Sequence, residues 1–419
     1  MPQTLAEKIM SRHFGQSVRA GQFVEVAPDW AFSIDDGIGL VLSYLRQAGI
    51  ETIPYPERTA LFYDHFAPAD SGLSATFQRM GRDFARKVGI PHVFDVGTGI
   101  AHQVAVETGL VRPGQIAVNN DSHTPTLGAV ACFGTGMGSL EIAYIWATGR
   151  TWFQVPPTLR IDLEGTLPEW STAKDLILAL IGRLGPRAAT YKAIEYHGDA
   201  VPRLSMAQRM TLCNMAVELG AKTGLMPADA VTVAHYAALG IAIDTEPGRP
   251  EEGAEYERRE SISLDAIEPM VACPHAVHNV KPARRLERTP IHQAFLGTCT
   301  NGRLEDLEEA ARLLKGRTIA AGVRMVVTPA SRAVYIQALK NGTIETLMEA
   351  GCTVTTPGCG ACNGLHQGAL GDGEVCIASS SRNFLGRMAN RNASVYLGSA
   401  ATVAASALAG YINDPRDAV

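Results

Sequence analysis

Apolar residues recur along this chain with two different periods. Short β-branched runs read as strands: QIAVNN ending at Asn120, GVRMVVT (322–328), VCIAS (375–379) and SVYLG (394–398). Longer stretches between such runs repeat at helical spacing. In Leu304 to Leu314, for example, Leu304, Leu307, Ala311 and Leu314 fall on one face. Strands alternating with helices in this way predict βαβ units, hence an α/β fold of mostly parallel sheets covered by helices.

The pattern breaks most clearly at Asp244 to Glu260, DTEPGRPEEGAEYERRE, which is charged, carries Gly and Pro, and reads as an exposed connection. A softer break lies at Gln154 to Pro157, before the strand-like TLRIDLEG. Three α/β/α domains are therefore expected, at 1–154, 155–270 and 271–419. A length of 419 residues agrees with two or three cores of ordinary size.

Composition narrows the class of function. With 46% hydrophobic and 19% charged residues the chain suits a soluble globular protein, and a net charge of −5 speaks against a nucleic-acid surface. MPQTLAEKIMSRHFG has no apolar signal core, and no run reaches the ~20 apolar residues that a membrane span needs. Eight cysteines scattered without a small-domain disulfide pattern read as reduced thiols in a cytoplasmic protein, open to metal binding.

Two of those thiols form a C-x-x-C, Cys359 and Cys362, in a glycine-rich turn after the strand-like TVTT. The spacing alone fits half a zinc site, a redox pair or a cluster site. No second close pair of Cys or His follows for zinc, and Gly364 stands where a redox pair would start its helix. Cys299, in FLGTCTNGR, lies where a strand gives way to a helix. The carboxyl ends of parallel strands open onto the ligand crevice, so Cys299 can meet the other two there. Three thiolates suit a four-iron cluster with one iron left free as a Lewis acid. The competing reading makes Cys299 a small core residue, the reading that also suits Cys132, Cys213, Cys273, Cys352 and Cys376.

DSHTPTLGA, GTCTNGRLED, PGCGACNG and SSRNFLGR occur in this order over nearly the whole chain. Together they resemble the aconitase superfamily, most closely the short large subunits of isopropylmalate and homoaconitate dehydratases. The resemblance implies the aconitase large-subunit fold, a 4Fe-4S cluster on Cys299, Cys359 and Cys362, and a hydro-lyase that dehydrates a small 2- or 3-hydroxy di- or tricarboxylic acid. It also implies a separate small subunit carrying the swivelling fourth domain and the serine that removes the C–H proton. The end of this chain at Val419, soon after ATVAASALAGYI, agrees with that split.

The resemblance extends to acids, bases and clamps. Asp64 and His65 match a pair that protonates the leaving hydroxyl, for which a carboxylate-oriented imidazole suits. His102 with Gln103, and Asp121, Ser122 and His123, match further active-site positions. Asn214 and Glu218, four apart and so expected on one helix face, match a neighbour of the cluster and a charge partner of an active-site histidine. Asn301 belongs to the cluster surroundings by the same match. Arg382 and Arg387 match the substrate arginines, whose planar fork suits a carboxylate.

Three departures from the family pattern touch four positions. Ser381 stands where Asn is usual, Asn120 replaces a Gly, and SIDDGIGL replaces a segment resembling THDGTGP, with Asp35 for His and Ile38 for Thr. Asp35 and Ser381 are expected at the substrate. The hydroxy acid is left open, with a maleate or citraconate hydratase as one alternative and a non-catalytic metal-binding or iron-sensing protein as another.

Overall fold

The computed structural model describes every residue except Glu287, His366 and Val419. Strands Trp30–Ile34, Thr59–Phe62, His92–Phe94, Ile116–Asn119 and Phe133–Gly136 form an all-parallel sheet, with Trp30–Ile34 in the middle between Thr59–Phe62 and Ile116–Asn119. A second parallel sheet joins Thr223–Leu225, Ala193–His197, Thr158–Glu164 and Arg258–Ser263 in that order. The third, seven-stranded and mixed, has Val375–Ala378 at its middle and Gln293–Gly297 next to it, between Val375–Ala378 and Arg324–Thr328, all parallel. The expected strands are therefore present, and so is the helix Leu304–Leu314 with Leu307, Ala311 and Leu314 buried.

Apolar packing does not stop at the sheet borders. One buried cluster runs from Phe32 and Phe62 through Ile161 and Tyr196 to Phe295 and Leu397, so it draws on each of these three larger sheets. Among the described residues no helix is long and apolar enough to cross a membrane.

The expected exposed connection ends earlier than its charge suggested. Arg258–Ser263 is an edge strand, with Arg258 and Arg259 exposed. Charged side chains are a common protection for a sheet edge, which is why a strand here reads as a loop.

Two sheets set up the site. In the first, the strand order reverses about Trp30–Ile34, and Asp35, Asp64 and Asp121 follow the carboxyl ends of three neighbouring strands. In the third, Cys299 follows Gln293–Gly297 and Ser379 follows Val375–Ala378. Carboxyl ends at such reversals form the crevice in which α/β proteins bind ligands.

Candidate active site

The chain turns sharply to deliver Cys299. Gly297 has φ +153°, and a Cβ there would lie 2.4 Å from the Thr328 carbonyl oxygen; Thr298 follows at φ +73°. The turn opens the short helix Thr298–Asn301 with Cys299 facing Ile100, Ala330 and Cys359. Cys359 and Cys362 sit at and within a single 3₁₀ turn, Gly360–Asn363. All three thiols are buried. Burial pushes the Cys299 thiol up to about 12, with Asp121 and Cys362 adding to it. Cys359 is pushed well above its usual value, again first by burial, and Cys299 contributes. The structure thus brings the three sequence-selected sulfurs into one another's electrostatic field.

Around them lies a chain of acids and bases. His65 Nδ1 is 2.7 Å from Asp64 Oδ1, and Asp64 Oδ2 accepts from the Ala101 amide at 2.8 Å. His65 Nε2 lies 3.5 Å from Asp121, and both ring nitrogens are 3.8 Å from Cys359 Sγ. Burial disfavours the His65 imidazolium, but Cys359 and Asp64 outweigh it and hold its pKa well above the usual value. Burial likewise opposes ionisation of Asp121, yet His102, His65 and His123 keep that carboxyl far below the carboxylate range. Burial lowers the pKa of His102, which is fully enclosed near Asp121 and Asp64.

On the other side Glu218 bridges an imidazole and a guanidinium. Its Oε1 is 3.2 Å from His123 Nε2 and 2.7 Å from Arg382 Nε. Arg382 Nη1 also donates to Ser122 Oγ at 2.9 Å. Arg387 Nη2 donates to Cys362 Sγ at 3.2 Å. Asn214 donates to Thr126 at 2.8 Å, accepts from Thr300 at 3.2 Å, and touches the Cys299 sulfur.

Two expectations need correction. Asn214 and Glu218 do not share an α-helical face: the helix Met206–Asn214 ends there and Met215–Leu219 tightens into a 3₁₀ turn. The tighter turn aims Glu218 at His123 while Asn214 stays behind Cys299. Asn301 donates its side-chain amide to Asp306 at 2.7 Å and accepts from Lys174 Nζ at 3.5 Å, so it braces the cysteine loop from behind.

Asp35 is likewise not presented to a substrate. Its carboxylate accepts the amides of Asp64 (3.3 Å), His65 (3.0 Å) and Phe66 (3.0 Å) and the Gln78 side chain (3.1 Å). It therefore positions the Asp64–His65 segment. Ile38, the neighbouring departure, packs in the core. Asn120 ties Ile34, Ser33 and Ser139 together. Asp35→Ala leaves four buried or half-buried donors without this acceptor, and a loss of about 3 kcal/mol is expected. Chemical denaturation checks this, with Asp35→Asn in between; an unchanged midpoint in Asp35→Ala would refute the positioning role.

Two features test the fit of a cluster with three protein ligands. Among the described residues, the buried polar atoms without a hydrogen-bond partner include both ring nitrogens of His102, Ser381 Oγ and Arg387 Nε. Native proteins rarely leave such groups unsatisfied, so the enclosed His102 beside Asp121 and Asp64, and the Arg387 guanidinium at Cys362, mark a place for a further polar group. The donor set is also soft, as iron–sulfur ligation requires. Oxygen of Asp64, nitrogen of His65 and sulfur of Cys359 come within 4.8 Å of one another, a set that also suits a single metal ion. Both His65 nitrogens already face carboxylates, however, which favours a proton-handling role.

Lys174, Arg303 and Gln78 join the site without an expected role in the sequence. Arg303 lies within GTCTNGRLED, and its side chain donates to the carbonyl of Cys299, to that of Thr300 (2.7 Å) and to Gln103 (3.0 Å). Lys174 had a signal of its own, a cation in the apolar run AKDLILALIG.

Comparison with known proteins agrees with this geometry. Residues 7–410 match the aconitase family (aconitate hydratase). The chain is 47% identical over 418 residues to the 3-isopropylmalate dehydratase large subunit of Elusimicrobium minutum, covering 100% of this chain and 99% of that one. It is 47% identical over 388 residues to a probable methanogen homoaconitase large subunit of Methanosarcina mazei, covering 93% and 98%. Among solved structures, aconitase X of Thermococcus kodakaraensis superposes with TM-score 0.50 at 12% identity, over 90% of this chain and 89% of that one, a likeness of fold.

Proposed function

This chain belongs to the aconitase family of hydro-lyases, and we propose that it is the cluster-carrying large subunit of a dehydratase acting on a small hydroxy di- or tricarboxylic acid. The observation that carries this reading is the junction of three buried thiols with Asp64–His65 on one side and the Glu218–Arg382 pair on the other. Cys299, Cys359 and Cys362 would hold a 4Fe-4S cluster. When bound, it supplies a Lewis-acidic iron toward the leaving hydroxyl and a carboxylate.

The chain's own residues divide the remaining work. His65, oriented through Nδ1 by Asp64, donates the proton that lets the hydroxyl leave. Asp121, held ionised, faces Nε2 of His65 and balances the charge of that imidazolium. Arg382 and Arg387 supply guanidinium forks for substrate carboxylates. Glu218 holds Arg382 ready by an ion pair that a carboxylate ligand can share. His102, buried and with both nitrogens free of partners among the described residues, is placed to hydrogen-bond the ligand.

The base that removes the C–H proton comes, on this reading, from a separate small subunit; the large-subunit names of the relatives support the existence of such a partner. Isopropylmalate- or homoaconitate-type acids are the first substrates to test, with citraconate and maleate as the simpler alternatives. All eight cysteines are free, as a cytoplasmic enzyme would keep them.

The test reconstitutes the chain anaerobically with iron and sulfide, adds a cognate small subunit, and follows the ultraviolet absorbance of isopropylmaleate, cis-homoaconitate, citraconate and maleate. Hydration of at least one acid is expected, and none by the chain alone. A fully loaded pair that turns over none of them would defeat the proposal, as would steady turnover by the single chain.

A further inference from the structure

Lys174 occupies an unfavourable place for a cation. It is fully buried in the first turn of the helix Ala173–Leu184, where the helix dipole also opposes positive charge. Its Nζ donates to the carbonyls of Ser379 and Ser380, each at 2.7 Å, and lies 3.5 Å from Asn301 Oδ1. Among the described residues no carboxylate comes within ion-pairing distance. Asp175 is occupied by Thr172 and the Met270 amide, and Asp306 by Asn301 and the Arg303 amide. Burial pulls the Lys174 pKa down to about 7, and the groups that favour its charge are Asp175, Asp306, Cys362 and Cys299.

Its partners are not arbitrary. Asn301 belongs to the short helix that carries Cys299, and Ser379 and Ser380 lead directly into Ser381 and Arg382. Ser379 also joins the two segments, accepting from the Gly297 amide at 2.9 Å. Arg303 repeats the pattern from the other side: it is buried, its guanidinium spends its donors on carbonyls, a hydroxyl and Gln103, and it makes no ion pair among the described residues. Two buried cations without carboxylate partners thus stand behind the thiols. A buried ammonium holds its proton far better where an opposite charge compensates it.

We propose that Lys174 is a positioning and charge-balancing residue, one ammonium that ties the Cys299 segment to the Ser379–Arg382 segment and offsets the negative charge of the metal-loaded thiolates. The inference rests on the cluster reading above. Three thiolates outweigh the charge of an iron–sulfide core and leave a net anion, which a fixed cation stabilises, and more so when the core takes up an electron.

The test compares the full-length wild-type chain with Lys174→Met and Lys174→Gln after anaerobic reconstitution. Redox titration followed by electron paramagnetic resonance gives the cluster's midpoint potential, and loss of visible absorbance to an iron chelator gives its release rate. Both neutral variants are expected to show a lower potential and a release roughly tenfold faster. A potential and release rate equal to wild type would overturn the proposal. If the neutral variants do not fold, Lys174→Arg decides: a wild-type potential supports the charge role and a lowered one overturns it. A wild-type chain that takes up no iron and sulfide indicts the cluster reading instead.

Discussion

Cys359→Ser is expected to leave the reconstituted chain nearly colourless and to lower turnover at least about 10³-fold, the scale set by removing a metal's contribution to a charged transition state. The expectation follows from the burial of all three thiols. In the metal-free chain burial drives Cys359 and Cys299 toward their neutral forms, so only a strongly bound soft metal assembly draws out their protons. A serine hydroxyl at the same depth is harder to ionise and a poorer ligand for iron, and two remaining thiolates close too little of the coordination sphere. Cys299→Ser and Cys362→Ser should behave alike. Cys352→Ser is the control: that thiol sits in the apolar core of the third sheet and should keep both colour and activity. Iron and sulfide analysis alongside the visible spectrum reads the outcome. A Cys359→Ser chain that stays fully coloured and active would remove Cys359 from the ligand set.

Asp64→Asn and His65→Gln should separate proton transfer from cluster binding. Both variants are expected to keep iron and sulfide while kcat falls by about 10²–10⁴-fold, the usual worth of a positioned acid. The 2.7 Å contact between Asp64 and His65 Nδ1 fixes the ring and favours its charged form, and the Ala101 amide fixes Asp64 in turn. On the proposed reading Arg382 and Arg387 grip the substrate carboxylates, so KM should move far less than kcat. Steady-state kinetics on the reconstituted pair measures both. A loss confined to KM would assign the Asp64–His65 pair to binding and not to proton transfer.

Much of this arrangement is legible in the chain before any coordinates. The apolar spacing of Leu304 to Leu314 gives a helix, and the β-branched runs near 116, 324, 376 and 395 give strands, because these elements bury one face or both. The cysteines are legible because C-x-x-C and the FLGTC turn sit at strand ends. What escapes the sequence is governed by tertiary contact. Asp35 looks like a substrate residue by its motif, yet three backbone amides from a neighbouring strand's loop claim its carboxylate. Four-residue spacing put Asn214 and Glu218 on one face, and a 3₁₀ turn changes their directions. Arg258–Ser263 reads as a loop since a guarded sheet edge and an exposed loop share a composition. Lys174 is the hardest case: nothing in AKDLILALIG says that its ammonium ends among the carbonyls behind the cysteine loop.

Mössbauer spectroscopy of the chain reconstituted with iron-57 and sulfide, recorded with and without a hydroxy acid that the enzyme pair turns over, addresses the central claim most directly. Three cysteine ligands predict a four-iron cluster in which one iron site, and only one, changes its spectrum when the acid is added. Four equivalent, unresponsive iron sites, or a colourless chain holding a single metal ion without sulfide, would contradict it.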